Sequence, residues 1–150
     1  MFVFTVLYII NDKQGVNDMK NSNEMKVLIE TCEGILSESE RYLATLIYNE
    51  EFQDRYIKKF ESIKDNIKTG EMKKENVEEL NIIMNVLMEQ YFEDVSLLEE
   101  KIEKATKCDT NKKYTLEVEN IKELLNERDL SNAYILINEL EEKMNIENKY

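Results

Sequence analysis

The stretch that decides the fold is Leu80–Phe92, LNIIMNVLMEQYF. Wound at 3.6 residues per turn, Val77, Leu80, Met84, Leu87, Met88, Tyr91, Val95, Leu98 and Ile102 fall on one broad apolar face. Ile82 and Val86 lie on the opposite side, four residues apart, so the first half of the helix is apolar almost all round. A helix of that kind is buried by neighbours on several sides. The spacing predicts one long central helix over about 74–106. Its apolar positions start as heptads and then drift: Leu80 and Leu87 give way to Val95 and Ile102, one place later. A strict two-stranded coiled coil holds seven, so the drift predicts a globular bundle instead.

Composition agrees. The chain has 150 residues, 42% of them apolar, with three Gly and no Pro. So few turn formers among so much Glu, Lys, Leu and Ile imply long helices joined by short loops. A net charge of −12 argues against phosphate contacts with nucleic acid and against an anionic membrane surface. It suits a basic protein partner, although acidity also serves solubility alone. The chain has no His, which removes Ser-His-Asp and Cys-His nucleophile systems and the Glu-x-x-His pairs of di-iron bundles. Cys32 and Cys108 form no Cys-x-x-Cys motif and read as reduced, partly buried thiols of a cytoplasmic protein.

Residues 1–18 are read as an N-terminal extension, and 19–150 as a single helical bundle domain. Met1–Ile10 (MFVFTVLYII) is too short to span a bilayer and lacks the basic start of a signal peptide; its composition predicts a short strand. Lys13–Met19 can also be encoded as AAACAAGGGGTGAATGATATG, a purine-rich ribosome-binding string before an ATG. Met19 is therefore a candidate native start, which the gene's codons would test.

The first helix is expected near Asn21, which with Glu24 resembles a capping box. Its stripe runs through Leu28, Cys32, Ile35, Leu36, Ser39, Tyr42, Leu43, Leu46 and Ile47, turns polar at Asn49–Glu51, and resumes at Tyr56, Ile57, Phe60, Ile63 and Ile67. Leu28, Ile35, Tyr42, Asn49, Tyr56 and Ile63 are spaced by seven. That continuity favours one long helix with a polar layer or kink at Asn49 and Gln53, over two helices. Thr69-Gly70 should end it, with Met72 stapling onto Val77. Gly34, mid-helix, marks either a close helix approach or a tolerated surface glycine.

Lys107–Lys113 is a loop with Asp109 or Thr110 as cap. Helices near Leu116–Glu127 and Ser131–Met144 follow, with a fraying tail at Asn145–Tyr150. ELLNERDLSNAYILINEL resembles a tetratricopeptide hairpin, but one copy without a thirty-four-residue recurrence is a plain αα-hairpin. Its expected task is to cover Ile82 and Val86.

Two sets of residues carry functional readings. Glu30-x-x-Glu33 and Glu51-x-x-Asp54 place acid pairs on helical faces, able to hold Mg²⁺ with a substrate's phosphates. The arrangement resembles that of all-α nucleotide pyrophosphatases of the MazG type, and implies a Mg²⁺-dependent hydrolase. Yet 32 of 150 residues are acidic, so chance yields about six or seven such pairs. Glu30 also points away from the Leu28/Cys32/Ile35 stripe, which favours a solvated face. The second set is Tyr48, Phe52 and Phe92 with Glu51 and Glu93. The rings lie at or beyond the edges of their stripes, either as seam packing or as anchors on an acidic binding patch.

The expectation is thus an all-α bundle of four or five mostly antiparallel helices, with a short N-terminal strand as an addition. The preferred function is non-enzymatic binding of a protein partner with a basic site, as an inhibitor, an antitoxin- or immunity-like protein, or an adaptor or chaperone. No metal, cofactor, nucleic acid or membrane enters this reading. A self-associating structural protein, such as a homodimer, is a further alternative. The Lys-, Asn- and Ile-rich composition suits a low-GC bacterium or its phages.

Overall fold

The computed structural model describes residues 22–149, with side chains placed over 23–145. Among the described residues the chain is an all-α helical bundle of five helices: α1 (Ser22–Thr45), α2 (Glu50–Thr69), α3 (Lys74–Cys108), α4 (Thr115–Asn126) and α5 (Leu130–Lys149). The strand expected at Met1–Ile10, the Met19 start and the Asn21 cap lie outside the described residues. Contacts gather into two compact units. One comprises 22–43 and Asn49–Met88; the other comprises Ala44–Tyr48 and 89–149.

In the first unit, Leu28, Cys32, Ile35, Leu36 and Leu43 of α1 are buried. So are Tyr56, Phe60 and Ile63 of α2, and Val77, Leu80, Met84 and Leu87 of α3. Each large apolar side chain so buried contributes about 1.5–3 kcal/mol. Gly70 stops α2 in the left-handed region, φ 74, where Glu71 N–H reaches Asn66 O at 2.9 Å. Met72 is buried and lies 4.0 Å from Cys32 Sγ through its thioether sulfur. α3 then opens with Asn76 Oδ1 accepting from Lys73 N–H at 2.9 Å.

In the second unit, Leu98, Ile102 and Ala105 of α3 form one core with Tyr114, Val118, Ile121, Leu130, Ala133, Ile137, Leu140 and Met144. Lys101 Nζ reaches Glu141 and Asn138, both at 3.2 Å, and ties α3 to α5 across the rim of that core.

The structure corrects several expectations. The seven-residue spacing through Asn49 does not make one helix: α1 ends at Thr45 and α2 starts at Glu50. Asn49 is a cap, its side chain accepting from Phe52 N–H at 3.1 Å. Gln53 Nε2 donates to Leu43 O at 3.3 Å, satisfying a carbonyl near the end of α1. What looked like a polar layer is the chemistry of two helix ends.

The hairpin α4–α5 does not cover Ile82 and Val86, which are 64% and 37% exposed. The loop after Cys108 is too short to carry α4 far along α3, so α4 folds back over the nearest turns, at Leu98–Ala105. Gly34 is exposed, and a Cβ built on it would meet nothing within 4 Å, so no neighbouring helix requires it.

Asp109 does not cap α4. It ties its own loop, accepting from Lys113 N–H and Tyr114 N–H, each at 2.9 Å, while Tyr114 takes the cap position and makes no side-chain capping hydrogen bond to the helix. Finally, α5 continues to Lys149, past the expected end at Met144, because no Gly or Pro interrupts it.

Candidate interaction surface

The break between α1 and α2 is where sequence and tertiary structure meet most closely. With no helical partner, the backbone of residues 46–48 must find acceptors and donors elsewhere. Ile47 N–H donates to Asp94 Oδ2 at 3.0 Å, and Gln90 Nε2 donates to Asp94 Oδ1 at 2.9 Å. Tyr48 N–H donates to Ser131 Oγ at 2.7 Å, and the Ser131 hydroxyl donates in turn to Leu46 O at 3.3 Å. Asp94 is a buried carboxylate on α3 and Ser131 opens α5. Asp94 drew no notice from the sequence, and Ser131 only as the start of the last helix, since the folded backbone alone gives them these partners.

That joint presents Tyr48 to solvent with 67% of its surface exposed. Phe92, on α3, is 62% exposed and rests edge-on against Tyr91 at 5.7 Å. Two residues along a helix amount to about 200° of rotation. Phe92 therefore leaves α3 on the side away from Asp94 and the segment that Asp94 holds. The two rings are separate footholds and not one patch. Glu93 is exposed beside Phe92.

Phe52 differs. It is half-buried and packs edge-on against Tyr56 at 5.0 Å, so it serves its own helix's packing. Glu51 lies exposed in the first turn of α2 beside Glu50, where negative charge favours the helix dipole.

The acid pairs of the hydrolase reading stand on open surface. Glu30 and Glu33 are exposed on α1, and Glu51 and Asp54 on α2. Among the described residues, no three side chains of Cys, Asp or Glu converge to hold a metal ion. Cys32 is fully buried and Cys108 exposed, both as free thiols. Burial, with Glu33 adding to it, pushes the Cys32 thiol up from 9.0 to about 11.

One further feature runs along α3. Residues 75–100 hold eight Asp or Glu and no Lys or Arg. Glu78 pairs with Lys74 and Glu79 with Lys59, each at 3.7 Å, whereas Glu75, Glu89, Glu93 and Glu100 have no ion pair among the described residues.

Among the described residues no helix is long and apolar enough to cross a membrane. No protein-family model, curated protein or solved structure matches this chain.

Proposed function

We propose that this chain is a small acidic, non-enzymatic interaction protein of the cytoplasm that binds a protein partner through a basic site. The roles that fit are inhibitor, antitoxin- or immunity-like protein, adaptor and chaperone. The observation that carries the reading is the pair of exposed rings, Tyr48 and Phe92, on a protein of net charge −12. Large aromatic side chains contribute most when a partner buries them, and acidic surroundings steer a basic one toward them.

The test is affinity capture from the native cell with the full chain as bait, followed by titration of the captured partner. Binding should weaken with salt as screening shortens the reach of the carboxylates. Tyr48→Ala or Phe92→Ala should weaken it by about thirtyfold, the equivalent of a 2 kcal/mol anchor. Recovery of no partner at low salt, or binding indifferent to both substitutions, overturns the proposal.

A further inference from the structure

We propose that the outer face of α3 around Phe92 is a docking site for a cationic amphipathic helix; this rests on the interaction reading above and names the partner's chemistry. The face lies wholly within the second unit, to which α3 contributes from Glu89 onward. Leu98, Ile102 and Ala105 turn one side of this segment into that unit's core. At about 100° per residue, Glu89, Phe92, Glu93, Ser96, Glu99 and Glu100 fall on the other side, and all six are exposed. Phe92, at 62% exposure, is the apolar centre, with half-buried Val95 beside it one turn along.

Charge selects the occupant. From 89 to 100 the sequence holds no Lys or Arg. Glu89, Glu93, Glu99 and Glu100 have no ion pair among the described residues, and the next cation, Lys101, is engaged with Glu141 and Asn138 of α5. Asp94 faces inward and is taken up by Ile47 and Gln90. A second copy of this chain laid on the face would bring carboxylates against carboxylates, and an anionic bilayer would be repelled.

A basic helix matches in both charge and pitch. Glu89, Glu93 and Glu100 are spaced by 4 and 7 residues, so Lys or Arg at the same spacing on a helix lying alongside meets each of them. Apolar residues on that helix's neighbouring stripe cover Phe92, ridge into groove. The face from Glu89 to Glu100 is about 17 Å long at 1.5 Å per residue.

The probe is a synthetic amphipathic peptide of about 15 residues, built from Leu, Ala and Lys with Leu on one stripe and Lys beside it, and titrated into the full chain by calorimetry. A peptide of the same composition with the Leu positions dispersed is the control. The amphipathic peptide should bind about tenfold tighter than the control. Phe92→Ala should abolish that preference, and Glu89→Gln with Glu93→Gln should weaken binding and flatten its salt dependence. Leu116→Ser, which removes a 72% exposed apolar side chain on α4, should leave the affinity unchanged. All these side chains are on the surface, so an unchanged melting temperature verifies the fold.

Equal affinity for the two peptides, a preference that survives Phe92→Ala, or an equal loss with Leu116→Ser overturns the inference. So does a dimer in sedimentation equilibrium that dissociates with Phe92→Ala, which would make a second copy the occupant. The earlier reading fails separately: it stands or falls on capture of a partner from the cell and on Tyr48→Ala against that partner, neither of which enters the peptide titration.

Discussion

Replacing Asp94 with Ala removes the acceptor that holds the α1–α2 break. Ile47 N–H then has no partner, and Gln90 Nε2 loses its carboxylate. A hydrogen bond to a charged group contributes roughly 1.5–3 kcal/mol. Two terms offset the loss: a buried carboxylate no longer has to be desolvated, and Ala has a better helix propensity than Asp by about 0.5 kcal/mol. Gln90 is only half-buried, so water takes over its amide. The net expectation is about 2 kcal/mol of destabilisation, which for a chain of this size lowers the melting temperature by roughly 4–8 °C. Asp94→Asn keeps an oxygen for Ile47 and should lose about half as much. Urea denaturation followed by circular dichroism gives the energies. Amide exchange at Ile47 reports the bond itself and should accelerate in Asp94→Ala. Stability within 0.5 kcal/mol of wild type together with unchanged protection at Ile47 would refute the claim that this carboxylate secures the break.

Two glycines should respond with opposite signs. Gly34→Ala adds a methyl group into open space on an exposed helical turn and should stabilise by about 1 kcal/mol. Gly70→Ala forces a side chain into φ 74 and should destabilise by about 1 kcal/mol, both read from urea midpoints. The cysteines should divide under a thiol reagent at pH 8, with Cys108 reacting at once and Cys32 only on unfolding. Because folding raises the Cys32 thiol from 9.0 to about 11, the folded state keeps a proton that the unfolded chain releases. The stability from this thiol is complete below pH 9 and is lost as pH climbs toward 11; Cys32→Ala should remove that part of the alkaline slope.

Much of the fold was legible because its signals are local. Gly70 as a stop needs only its own backbone freedom, and the extent of α3 needs only periodicity. Asn49 shows where locality ends. A polar residue on an apolar stripe is either a layer inside a bundle or a cap between helices, and the choice was made by Asp94 and Ser131, 45 and 82 positions away. Ile82 and Val86 misled for a related reason: apolar character says what a residue gains from burial, not whether the loop after Cys108 lets a helix reach it. Among the site residues, periodicity put Tyr48, Phe52 and Phe92 alike at stripe edges. Only the neighbours distinguish them, since Tyr56 takes up Phe52 and the other two are left outward.

The bonds that flank Tyr48 also bear on how long the proposed partner would be held there. Its stem is pinned by the Ser131 hydroxyl on one side and runs into the capped start of α2 on the other. The ring thus has little beyond its own two torsions left to freeze when it is engaged. Under the proposed partner-binding function, docking there would forfeit far less chain freedom than on a slack loop of the same composition, and more of the contact energy would go into a slow off-rate.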